Sequence, residues 1–121
     1  MKTYKEFILE SQEVLDTITR NWKRKHPGMK LHASITRQGD IQLHKIDVPK
    51  DQRGKGIGSR FMKGLTNTAD KQKRRITLSP EAESGYKKKL DTFYKNFNFK
   101  SNKGRNKDFS VSDTMIRNPN S

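Results

Sequence analysis

Cysteine is absent from this 121-residue sequence. That excludes a disulfide framework, a thiolate metal site and a cysteine nucleophile, and it fits a reducing compartment. Acidic residues are scarce: 13 Asp and Glu stand against 27 Lys and Arg, for a net charge of +14. A field of that sign favours polyanions, whether nucleic acid, an anionic membrane surface or a phosphorylated ligand. No apolar run approaches the ~18 residues needed to cross a bilayer. The N-terminus lacks the apolar core of a signal peptide, so the expected location is the cytoplasm. Only 29% of residues are hydrophobic, enough for one thin core in one domain. Neither G-x-G-x-x-G nor G-x-x-x-x-G-K-[ST] marks a dinucleotide or P-loop site. No cluster suggests a metal site.

What is present is periodic. Thr3 and Glu6 read as a capping box, and Phe7, Ile8, Ser11, Val14, Leu15, Ile18 and Trp22 recur at helical spacing. The pattern predicts an amphipathic N-terminal helix within residues 1–27, stopped by Pro27-Gly28. Lys23, Arg24 and Lys25 complement its C-terminal dipole. Residues 28–121 carry the rest of the domain. Leu31, Ala33 and Ile35 alternate as in a strand, and Gln38-Gly39-Asp40 reads as a hairpin turn. A second strand runs from Ile41 to Val48 before Pro49 ends its ladder. Phe61, Met62, Leu65 and Ala69 mark the buried face of a helix over Ser59 to Lys71. A short strand at Ile76–Ser79 and a loop from Pro80 to Gly85 follow. Tyr86, Leu90, Phe93, Tyr94 and Phe97 then predict another helix. The chain closes with an extended piece from Asn98, a basic turn at Asn102–Lys107 and a strand from Phe109 to Arg117. The Phe and Tyr residues fall mostly at buried-face spacing, which gives little support to stacking on bases. The basic run Lys71–Arg75 reads as a solvated helix end, with a nucleic-acid contact as the alternative.

Between the second strand and its helix lies Gln52-Arg53-Gly54-Lys55-Gly56-Ile57-Gly58. Glycines at alternate positions let a backbone turn tightly and approach a ligand closely. A turn that opens a helix leaves several amide N–H groups without partners, and the helix dipole behind them makes a seat for a phosphate. Arg53 and Lys55 add positive charge at the rim.

This loop resembles the pyrophosphate loop of the GCN5-related N-acetyltransferases, R/Q-x-x-G-x-G/A, with Arg53, Gly56 and Gly58 in the pattern. The phrase from Val48-Pro49 to Gly58 looks like that superfamily's V-P-x-x-x-R-G-K-G-I-G. Leu90 to Phe99 resembles its L-x-x-F-Y-x-k-x-G-F, with Asn98 where Gly is usual, and Met115 to Pro119 looks like an M-x-R-x-P ending. The resemblance covers about residues 31–119. The elements that usually precede the central strand, and that build much of the acceptor site, are reduced here to one helix and one strand. The opening Met1 to Phe7 resembles the starts of tailed-phage proteins, including internal head proteins.

The resemblance implies an α+β fold: one mixed, mostly antiparallel sheet flanked by helices. It implies acetyl transfer from acetyl-CoA to an amine on a protein or small molecule. Pyrophosphate would meet the backbone of Arg53, Gly54, Lys55, Gly56, Ile57, Gly58 and Ser59, and the pantetheine arm would pair near Ile46 and Val48. A backbone N–H near Val48 would polarise the thioester carbonyl. Tyr94 occupies the position of the usual general acid. His44 is a candidate general base, with Asp47 weaker because alternation turns it to the other face. His26 and His32 have no supporting context; Glu81 and Glu83 sit in a loop, where solvated carboxylates are the default reading and facing an acceptor is the alternative. The alternative is an inactive protein of this fold that binds nucleic acid or serves in a virion. The +14 charge and the basic runs at Lys71–Arg75 and Lys100–Lys107 motivate it.

Overall fold

A computed structural model describes residues 4–52, 54–80 and 87–119. Thr3, Arg53, Glu81, Glu83 and Tyr86, and the side chains of Phe7 and Ile8, lie outside that description. The chain runs α1 (Tyr4–Lys25), β1 (Lys30–Ile35), β2 (Ile41–Asp47), α2 (Ile57–Gln72), β3 (Ile76–Leu78), α3 (Lys87–Lys95), β4 (Lys100–Ser101) and β5 (Met115–Arg117). The strands form one sheet in the order β1-β2-β3-β5-β4. Among the described residues the β2–β3 pair is parallel and the other three pairs are antiparallel.

The sheet's inner face is set by alternation. Leu31, Ala33, Ile41, Leu43, Ile76 and Leu78 are buried, and they meet Phe61, Met62, Leu65 and Ala69 of α2. Those four residues are inaccessible to solvent, which is what the spacing of their apolar side chains predicts for a helix laid on a sheet. α1 lies beside α2, with Trp22 meeting Phe61 edge to face at 5.7 Å. α1 also closes the outer edge of β1. Gln12 accepts a hydrogen bond from the Ile35 amide at 2.8 Å and donates to the Ala33 carbonyl at 3.4 Å. An unpaired strand edge is a template for chain-to-chain pairing, and here a side-chain amide takes its place.

Three arginines tie distant segments together. Arg117, 3% exposed, makes a forked pair with both carboxylate oxygens of Asp70 on α2, at 2.8 and 3.1 Å. Its Nε donates to the Phe97 carbonyl beyond α3. Breaking so buried a pair would leave a charge without compensation, at a cost of about 3 kcal/mol or more. Arg74 donates to the Gly39 carbonyl and to Ser11 of α1, each at 2.6 Å. Arg75 grips Asp40, Asp108 and Gln38. The run Lys71–Arg75 is therefore not simply a solvated helix end: its two arginines are internal ties.

The last strand is shorter than the sequence pattern predicts. Residues 109–114 are not in the ladder, which begins at Met115. Asn102 explains the difference. Its Nδ2 donates to the carbonyls of Asp108, Val111 and Asp113, and its Oδ1 accepts from the Asp108 amide at 2.8 Å. A side chain that satisfies four backbone groups holds the segment as a compact loop, outcompeting a strand. Val111 supplies the loop's small core at 6% exposure.

Candidate functional site

β2 and β3 stay in register only from Ile41↔Ile76 to Leu43↔Leu78, whereas β2 continues to Asp47. The parallel pair thus stops halfway along β2. Beyond it the chain passes through a 3₁₀ turn at Lys50–Gln52 and enters α2. A cleft of about 250 Å³ opens there, lined by Val48, Gln52, Gly54, Gly56, Ile57, Gly58, Ser59 and Phe93.

The turn into α2 needs its glycines. Gly54 has φ +84° and Gly56, the residue that caps α2, has φ +75°. Both lie in the left-handed region that side chains resist. No side chain caps the helix. The leading amides of Ile57, Gly58 and Ser59 are donors that an α-helix cannot satisfy internally, and the positive end of the dipole stands behind them. A β-carbon at Gly54 or Gly56 would have no atom within 4 Å, so open space faces the loop. At Gly58 a β-carbon would lie 3.8 Å from the Phe93 ring, which closes the cleft on the α3 side.

Of the residues singled out from the sequence, Val48, Gly54, Gly56, Ile57, Gly58 and Ser59 come together in this cleft. Lys55 is exposed at its rim, Ile46 is half-buried against the core, and Arg53 lies outside the described residues. Gln52 and Phe93 line the cleft without having been singled out. Phe93 reads as ordinary core from its helical spacing; only its contact with a bare glycine sets it apart.

The candidate acid and base lie apart from the lining. Tyr94 is 4% exposed and packs edge-on against Phe93 and Phe99, at 5.1 and 5.6 Å. Burial pushes its phenol up to about 12. His44 is exposed on β2, 2.7 Å from the Ser34 hydroxyl and stacked on His32 at 4.7 Å. His26 stacks on Trp22. Among the described residues no group of three His, Cys, Asp or Glu is placed to hold a metal ion, and no helix is long and apolar enough to cross a membrane.

No family model and no curated protein matches the sequence. Solved structures do. Ard1 from Thermoplasma volcanium superposes with a TM-score of 0.56 at 18% identity, over 85% of this chain and 78% of that one. The anti-CRISPR protein AcrVA5 gives 0.54 at 20% identity, over 74% of this chain and 88% of that one. Naa50 from Arabidopsis thaliana, in complex with the bisubstrate analogue CoA-Ac-MVNAL, gives 0.48 at 20% identity, over 73% of this chain and 59% of that one. The fold is that of the GCN5-related N-acetyltransferases. Among the described residues the sheet has five strands.

Proposed function

We propose that this protein is an acyl-CoA-dependent N-acetyltransferase. The observation that carries the reading is the uncapped, glycine-built start of α2, set in a cleft where β2 outruns β3. Such a turn fits a diphosphate: the leading amides of a helix lack internal partners, no side-chain cap hydrogen bond is made among the described residues, and open space faces Gly54 and Gly56. When bound, acetyl-CoA would supply an acetyl thioester open to attack by an amine. Gly56, Ile57, Gly58 and Ser59 would hold the diphosphate oxygens, with Lys55 adding charge at the rim. Val48 and Phe93 would shield the arm from water.

In acetyl transfer an amine nitrogen bonds to the thioester carbonyl carbon, the carbon–sulfur bond breaks, and the departing sulfur takes a proton. The candidate donor is Tyr94, named by its motif position; its ring lies in the core next to the cleft-lining Phe93 and outside the lining itself. Its hydroxyl, pushed up to about 12, stays protonated at any physiological pH and is therefore a donor, not a base. His44 is the candidate to relieve the amine of its proton, through water, since it lies outside the cleft lining.

Titration calorimetry with coenzyme A tests the reading. Saturable binding is expected in the wild type and a large loss in Gly58→Leu, whose side chain would meet Phe93. Binding that is absent, or indifferent to this change, would defeat it. Tyr94→Phe should keep coenzyme A affinity and lower turnover on whichever amine an acceptor screen reveals.

A further inference from the structure

Phe109 is 85% exposed, whereas Trp22, Phe61, Phe93, Tyr94, Phe97 and Phe99 are buried or half-buried. It stands on a loop held by several side-chain hydrogen bonds. On one side Asp108 binds Arg75 and accepts from both the amide and the hydroxyl of Ser110. On the other, the Ser110 carbonyl accepts from Gln38. Beneath, Asn102 fixes the loop backbone. A ring held out by a rigid support is not there for packing. Lys107 sits 5.4 Å from its centroid, and Lys103, Arg105 and Lys107 are all exposed on the same connection.

The loop's anchors place it in the fold. Gln38 lies in the β1–β2 turn and Arg75 immediately precedes β3, so both mark the starts of the parallel strands. The glycine loop follows the end of β2. Seven residues of strand, about 20 Å at ~3.3 Å per residue, separate the two.

We infer that the 102–113 loop is a binding surface for single-stranded nucleic acid, with Phe109 stacking on an unpaired base and Lys103, Arg105 and Lys107 meeting phosphates. Every base has a π-face, and cations around an aromatic platform are the arrangement that tracks a single strand. A duplex hides its base faces and would leave Phe109 without a use. An acidic peptide would satisfy the cations but would offer the ring no flat partner. The net charge of +14 supplies the long-range attraction. Spacing alone places Phe109 in a strand; it lies outside the ladder, which begins at Met115.

Fluorescence anisotropy with labelled oligomers of about twelve nucleotides, within known site sizes, tests this. Poly-dT and poly-U separate DNA from RNA, a duplex of equal length is the comparison, and polyglutamate is the competitor. Phe109→Ala is expected to weaken single-strand binding about tenfold, while Phe109→Trp retains it and shows tryptophan quenching. Changing Lys103, Arg105 and Lys107 together to Gln should make the dependence of log affinity on log salt shallower by about 2. Coenzyme A binding, measured on the same variants, should not move, so failure here is separable from failure of the acetyltransferase reading. No binding by the wild type, equal binding of duplex, displacement by polyglutamate as readily as by poly-dT, or indifference to Phe109→Ala would each overturn the proposal.

Discussion

The two loops at opposite ends of β2 are built on contrary plans. The turn into α2 is rich in glycine and, among the described residues, carries left-handed Gly54 and Gly56 and makes no side-chain cap hydrogen bond. The 102–113 loop is made of polar residues whose side chains satisfy its backbone from within. A loop whose donors are left open is shaped for something that arrives later. A loop whose donors are consumed internally holds its shape without a ligand, and can display one side chain outward. The contrast separates a site formed by backbone from one formed by a side chain.

The sharpest way to break the contrast is Gly56→Val. A β-branched residue at φ +75° strains the turn and tilts the amides of α2 away from the cleft. Coenzyme A affinity should fall by about a hundredfold, the loss of two or so charge-assisted hydrogen bonds. The melting temperature, followed by circular dichroism, should change little by comparison.

Asn102→Ala does the reverse. It removes four hydrogen bonds, one of them buried and three part-buried. A stability loss of about 3 kcal/mol is expected, read by denaturant unfolding, with coenzyme A binding retained by the folded fraction.

A milder perturbation of the same loop is pH. The Ser110 hydroxyl and Arg75 hold the Asp108 carboxyl down to about 2, against 3.8 ordinarily. A lowered acid stabilises the fold above its unfolded value and ceases to as pH falls through the folded one. Thermal stability should therefore decline between about pH 4 and pH 2, and Asp108→Asn should flatten that part of the profile. The smallest effect belongs to Phe109→Ala. A side chain 85% exposed should change stability by less than about 0.5 kcal/mol, so a lower melting temperature would mean that the ring is packed in solution.

The sequence discloses the parts of this molecule whose logic is local. The apolar stripe of α2, the alternation of β1 and β2 and the glycine spacing before Ile57 each follow from periods that a linear string displays. What stays hidden depends on partners far along the chain. Residues 109–117 look like a strand until Asn102 is seen to hold 108–113 in a loop. Arg74 and Arg75 look like surface charge until Ser11, Asp40 and Asp108 arrive beside them. Phe93 and Tyr94 are neighbours on one helix, and only the packing shows that Phe93 lines the cleft while Tyr94 joins the core.

Gln12 has a consequence for how this protein fails. Its amide imitates one residue of a missing neighbouring strand and occupies the Ala33 carbonyl and the Ile35 amide on the edge of β1. Whenever α1 peels away, under heat or on the ribosome before it docks, that protection leaves with it. Sheet-to-sheet polymerisation of partly opened copies is then the natural fate, and the helix serves as a built-in guard against it.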